Sequence, residues 1–384
     1  MKIKVARLWT KGMTAADGPF LIETDGPAIT SVTKITGGDG ASADIETGLT
    51  AVPGYIDCHE HIGIDVGDEH AQSIDDASRI ILRGVRALAG MTRGGVTTIR
   101  DCGERSDVEP YWIEALKNRT VPGPRVIRSV TPITRTGGHA WYLSAQTDGP
   151  DDIRGAVRRN VRAGADFIKV MATGGLGTIG SVPTRPEYTT PELFALVDEA
   201  HRLGRKVAAH AHGGEGVDQA IEAGVDSIEH GCLVTEKQLE SMAGHGTALV
   251  VTMGVGLAFE TDPEVPASIQ AKMNSVNEGY WKVLAQAREA GVSVVVGSDC
   301  VHGGVAQEMS YLVRAGFSPV EALTAGTASG ATLLGRDDLG ALAPGSAADI
   351  VLVDGDPSAD IEAAERVRAV MTAGAWLIAP AGQN

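Results

Sequence analysis

Residues Ala51-Val52-Pro53-Gly54-Tyr55-Ile56-Asp57-Cys58-His59-Glu60-His61 set the reading of this chain. An apolar run ends in two histidines that stand two residues apart. Side chains two apart on an extended strand face the same side. Both imidazoles can therefore reach one metal ion, and nitrogen donors suit zinc and its neighbours. A lone His-x-His also occurs in ordinary strands. What gives it weight is the rest of the chain.

Outward from this stretch, apolar strands alternate with helices. The strand candidates are 51–58, 96–100, 125–130, 166–171, 206–210, 226–230, 248–252 and 293–299. Strands separated by helices imply a parallel sheet. Eight β/α units over about 290 residues predict an α/β chain built as a (β/α)8 TIM barrel, here over residues 51–342. Helix starts support the count. Thr190-Pro191-Glu192, Thr235-Glu236-Lys237-Gln238 and Ser318-Pro319-Val320-Glu321 carry capping residues, two of them with a proline just inside. Gly94, Gly204, Gly224 and Gly291 mark helix ends, each shortly before a strand.

Both ends of the chain read as short strands and turns. Ile3–Trp9, Phe20–Ile22 and Ile29–Val32 lie at one end; Asp349–Val353, Val367–Met371 and Trp376–Ile378 lie at the other. Residues 1–50 and 343–384 are expected to form one small β-sandwich domain.

The chain has 384 residues, 43% of them hydrophobic, and a formal charge of −16. That is enough for a large core. The acidic balance argues against a phosphate-backbone partner, so nucleic acid is not expected. Four cysteines without CxxC spacing do not make a disulfide framework at this length. The start lacks an apolar signal core, and no window has the apolar length of a membrane span. The expectation is a cytoplasmic protein without a membrane partner.

In barrels of this kind the active site lies at the C-terminal ends of the strands. Ligand-type residues fall there. Strand one ends in His59 and His61, strand five in His210 with His212 beyond, strand six in His230 and strand eight in Asp299. Strand four carries Lys169 inside the apolar run Phe167-Ile168-Lys169-Val170-Met171. A buried lysine without a partner is costly and tends to lose its proton. It is either paired with a nearby acid or a neutral amine that reacts or binds. His302 lies just past Asp299 and is placed on the pocket wall. Cys58 and Cys300 flank the ligand candidates as small packing residues, while His70, His201 and His245 are expected at the surface. Gly174-Gly175-Leu176-Gly177 follows a strand but opens no helix, so it is not a dinucleotide fingerprint.

Taken together, Val52–His61, Phe167–Gly175, Ala209-His210-Ala211-His212-Gly213, Ser227-Ile228-Glu229-His230-Gly231, Gly297-Ser298-Asp299 and Pro344–Asp349 resemble the amidohydrolase superfamily. Within it they look most like the imidazolonepropionase-like and Xaa-Pro dipeptidase (prolidase)-like group. The resemblance covers nearly the whole chain. It implies two divalent metal ions, most simply Zn2+, and a Lys169 carboxylated by carbon dioxide that bridges them. His59, His61 and Asp299 would hold one ion with Lys169, and His210 and His230 the other. A bridging hydroxide would be the nucleophile. Asp299 would move the proton, and the metal held by His230 would polarise the carbonyl. His212 would stand beside the ligands toward the substrate. His139 matches a position that contacts the substrate carboxylate in dipeptidase-like members. Two departures bear on the substrate: Cys232-Leu233 stand where those dipeptidases often have a tyrosine, and the loop after His139 is aromatic, Trp141-Tyr142, whose indole and phenol are expected to bind the substrate from the pocket wall beside His139.

The resemblance implies a small-molecule substrate and leaves room for a homo-oligomer. The leading function is hydrolysis of an amide-type C–N bond in a dipeptide or an N-acyl amino acid-like compound. A mononuclear deaminase or cyclic-amide hydrolase is the first alternative. A metal-binding protein without catalysis is the second.

Overall fold

In the computed structural model of the protein, the described residues are 1–12, 16–36, 42–105 and 108–381. Seven strands from both ends of the chain share one mixed sheet. Its order is Ala375–Ile378, Val367–Thr372, Ile350–Val353, Ile45–Pro53, Lys2–Leu8, Ala16–Asp25 and Ala28–Lys34. Ile45–Pro53 is the joint. It pairs in parallel with Lys2–Leu8 on one side and antiparallel with Ile350–Val353 on the other. Hydrogen bonding thus runs through all seven strands as a single sheet, where the sequence suggested a sandwich.

Period-two alternation explains how this sheet is buried on both faces. Ile350 and Leu352 join Ile3, Val5, Ile22 and Met371 in a core at the outer face. Val351 and Val353, one residue out of step, join the large central core instead. A strand buried on both faces reads as a continuous apolar run, as 350–353 does.

Residues 51–53 belong to this terminal sheet, with Ala51, Val52 and Pro53 opposite Leu352, Val351 and Ile350. The first parallel strand therefore begins only at Tyr55 and runs to Glu60. The break falls at Gly54. A Cβ there would stand 2.1 Å from Thr97 Oγ1, so only glycine lets the strand Val96–Asp101 approach this closely.

Among the described residues, eight parallel strands, with two shorter ones, make up the rest. Tyr55–Glu60, Val96–Asp101 and Arg125–Arg128 form one parallel sheet. Phe167–Met171, Lys206–Gly213, Ser227–Leu233, Ala248–Val251 and Val294–Val296 form a second, and run parallel in that order. Backbone bonds link the edges of the two: Asp166 N donates to Arg128 O at 2.8 Å, and Asp299 N to His59 O at 2.8 Å. Two short strands absent from the sequence reading, Ile133–Thr134 and Ala145–Gln146, bracket the loop that carries His139.

The caps fall close to their expected places. Glu321 is bonded by Ser318 N at 2.6 Å, and Gln238 by Thr235 N at 3.0 Å. The helix Thr190–Arg202 starts one residue early: Glu192 reaches back to Thr189 N at 2.8 Å, so Thr189 is the N-cap and Thr190 already lies in the helix.

The first and eighth strands meet most tightly at Gly297, where an added Cβ would lie 2.4 Å from His59 Cβ and 2.7 Å from His59 N. Gly297→Ala is expected to push the two strands apart. Overpacking of this kind costs about 1–3 kcal/mol, so the guanidinium unfolding midpoint should fall. An unchanged midpoint would contradict this packing.

Candidate active site

His59 and His61 leave the end of the first strand with their rings set by different partners. His59 Nδ1 lies 2.7 Å from Glu229 Oε2, and His61 Nδ1 lies 2.7 Å from Gly103 O. A carboxylate and a carbonyl both accept, so each Nδ1 donates and each Nε2 keeps its lone pair. Those Nε2 atoms face Asp299 Oδ1 at 3.6 and 4.0 Å. The donor atoms of His59, His61 and Asp299 all lie within 4.8 Å of one another.

Glu229 is itself held. Arg100 Nη2 contacts both its oxygens at 2.7 Å, and Arg100 Nε donates to Cys58 O at 2.5 Å. Arg100 and Glu229 are buried, so the pair is worth keeping only because each member is fully bonded. A carboxylate behind a histidine fixes its tautomer and raises its basicity as a ligand.

Asp299 is placed by two further buried acids. Asp57 Oδ1 accepts from Ser298 N at 3.0 Å, and Asp57 Oδ2 from Ser298 Oγ at 2.5 Å. Glu60 Oε1 accepts from His61 N at 2.8 Å and Cys300 N at 2.9 Å. The turn these bonds hold is strained. Asp299 has φ 45° and Cys300 φ 71°, and across the site His230 has φ 70°. Left-handed backbone at non-glycine residues costs on the order of 1–3 kcal/mol each and collects at functional sites. Tyr280 Oη, from the helix Ala267–Glu289, donates to His230 O at 2.6 Å and helps hold that conformation.

The other histidines close the ring. His230 lies 4.7 Å from His59 and 4.6 Å from His210 between ring centroids, and His212 lies 4.7 Å from His210. Nε2 of His210 and of His212 is buried without a hydrogen-bond partner. Burial holds His59, His210 and His230 well below the usual histidine range. They are neutral at pH 7, the form that binds metal. Lys169 is 1% exposed, its Nζ lies 3.4 Å from His59 Nε2, and it makes no ion pair with a carboxylate among the described residues. The donor set fits divalent cations: clustered Nε2 and Oδ1 atoms, orphaned imidazole nitrogens, and a buried amine lacking the acid that a structural role would require.

His139 and His212 line the same cavity, together with the walls Ile64, Leu143, Leu176, Val255, Phe259 and Met273. His139 Nδ1 lies 2.7 Å from Thr178 Oγ1, and its ring is 4.2 Å from that of His210. Trp141 and Tyr142 do not line the cavity. The backbone turns at Ala140, φ 50°, leaving Trp141 42% exposed with its ring 5.3 Å from His70. Tyr142 gives its hydroxyl to Glu69 Oε2 at 2.8 Å. His302 is not on the wall either. Its ring spans Glu60 Oε2 and Asp65 Oδ1, each at 3.1 Å, because the turn after Asp299 carries it behind the site. His70, His201 and His245 are exposed, and all four cysteines are free and buried. Among the described residues no helix is long and apolar enough to cross a membrane.

Residues 50–377 match the amidohydrolase family, and the chain belongs to it. It is 30% identical over 355 residues to an ochratoxinase of Aspergillus niger, covering 83% of this chain and 73% of that one. It is 27% identical over 335 residues to an imidazolonepropionase of Salinispora arenicola, covering 80% and 78%. A prolidase solved in complex with N-methylphosphonate-L-proline superposes with a TM-score of 0.91 at 27% identity, covering 98% of this chain and all of that one. The protein is a hydrolytic enzyme acting on carbon–nitrogen bonds of the amide type, in a family that generally uses divalent metal ions.

Several site residues carry no sequence signal of their own. Arg100, Tyr280, Glu69 and Thr252, whose Oγ1 lies 2.8 Å from His230 Nδ1, are such cases. Only Glu229, beside His230 in sequence, could have been picked out, as the acid next to a ligand.

The His302 contacts generate a test. Burial opposes its charge, but Glu60 and Asp65 prevail and push it up to about 10. An unfolded histidine titrates near 6.5. Folding therefore gains the full contribution below about pH 6.5 and loses it as pH rises toward 10. Stability of His302→Gln, followed by thermal melts from pH 6.5 to 10, should fall less steeply than that of the parent protein. Equal slopes would contradict the ion pairs.

Proposed function

We propose that the protein is a binuclear metal-dependent hydrolase that cleaves the amide C–N bond of a small dipeptide-like or N-acyl amino acid-like molecule. Lys169 carries this reading. A buried amine among histidines, in no ion pair among the described residues, is accounted for by carboxylation, which would make it an anionic ligand available to both ions. His59, His61 and Asp299 would hold one ion, and His210 and His230 the other, with zinc favoured by the donors. Such ions supply a nucleophilic water near neutral pH and polarise the carbonyl. The chain's own residues do the rest. Asp299 accepts a proton at its carboxylate and returns it to the leaving nitrogen. Glu229 and Gly103 keep His59 and His61 in the binding tautomer. His139 and His212 present ring nitrogens to the substrate.

The same reading takes the two parallel sheets as one closed (β/α)8 barrel, since bonds cross both of their edges. The terminal strands form the smaller β domain, and the boundary moves from residue 51 to Gly54. One feature favours the mononuclear alternative: His59, His61 and Asp299 complete a donor set without Lys169.

Metal analysis of protein purified without chelator separates the two readings. Two ions per chain are expected, and a saturating value of one would favour the mononuclear enzyme. Asp299→Asn should cut turnover by about 10²–10⁴ on any amide the parent protein hydrolyses. Near-full turnover with metals bound would remove Asp299 from the proton path.

A further inference from the structure

The cavity contains one acid for which hydrolysis has no use. Glu69 opens the short helix Glu69–Ser73 and lines the cavity with the histidines. Its Oε2 takes the Tyr142 hydroxyl at 2.8 Å, and it makes no ion pair among the described residues. Gly177 faces it. A Cβ at 177 would stand 3.0 Å from Oε2 and 3.2 Å from Oε1, so the missing side chain keeps the carboxylate open. Among the described residues lining the cavity, Lys169 is the only lysine or arginine, and it lies at the metal end. Among those residues the remaining wall carries no other cation: Phe259, Met273 and Val276 share it with the neutral side chains of Thr252, Asn277 and Tyr280.

A carboxylate in such surroundings lacks the cation that would offset its desolvation. Burial raises the Glu69 carboxyl above the ordinary range, against the opposing Tyr142 hydrogen bond. A ligand that brings a positive charge satisfies it. A ligand that brings a carboxylate to the same place is repelled.

We infer that Glu69, positioned by Tyr142, determines specificity by pairing with a protonated amine of the substrate. The inference rests on the hydrolytic reading and narrows it: aminoacyl compounds with a free amine are taken over N-acylated ones. Tyr142, which does not line the cavity, acts through Glu69.

Calorimetric titration with 2-phenylethylamine and 2-phenylethanol reads the subsite without any bond being cleaved. The amine should bind metal-replete parent protein roughly tenfold more tightly than the alcohol. That preference should vanish in Glu69→Gln and shrink in Tyr142→Phe, with metal content unchanged in both. Kinetics on phenylalanine p-nitroanilide and its N-acetyl form provide the second readout. Glu69→Gln should raise KM for the free amine by a similar factor with kcat nearly unchanged, and should leave the acetylated substrate unaffected. Equal binding of amine and alcohol by the parent protein, or the same preference in Glu69→Gln, would overturn the inference. If neither anilide is cleaved while the amine preference and its loss in Glu69→Gln persist, the subsite stands and the proposed dipeptide-like substrate class is the reading that fails.

Discussion

The buried ion pair between Arg100 and Glu229 is the interaction on which the site depends. It joins the second parallel strand to the sixth, and through Arg100 Nε on Cys58 O it joins both to the first. Two charges removed from water gain little net stability from each other. Their value lies in geometry. Arg100 and Ser227 Oγ together hold Glu229 against His59 Nδ1, so the guanidinium links strand spacing to imidazole orientation. Removing either partner would leave the other charged and buried, which is costly at the centre of the fold.

Around this pair the molecule spends conformational energy where chemistry needs it. His230, Asp299 and Cys300 all hold left-handed backbone. Asp57, Glu60 and Tyr280 hold the peptide groups on either side of those turns. The acids that brace the first strand against the eighth are thus part of the same arrangement that aims Asp299 at the histidines.

Much of this was legible in the sequence. The parallel strands could be read because each is an apolar run between helix caps, and the metal-ligand candidates because five stand at or near a strand's end and Lys169 interrupts an apolar run. The limits have physical causes. The first strand was read too early, since nothing in the alternation at 51–53 tells which sheet its neighbours belong to; Ile350–Val353 decides that, 300 residues away in sequence. Trp141 and His302 were placed on the wall by proximity to His139 and Asp299. One local turn, at Ala140 or after Asp299, sends each elsewhere. Glu69 showed no pattern because its bond to Tyr142 joins residues 73 positions apart in sequence.

The segment between the seventh and eighth strands has a consequence for how this enzyme can change. Its helices Met253–Thr261 and Ala267–Glu289 supply Val255, Phe259, Met273 and Val276 to the wall, and none of the donors proposed to hold metal. This part of the wall is therefore written on a stretch of chain apart from the proposed ligands, with Tyr280, which touches His230 O, as the link between them. Substitutions along 253–276 can reshape the apolar wall while the ligand frame at the strand ends stays whole. Selection can therefore revise what the enzyme accepts without first dismantling how it reacts.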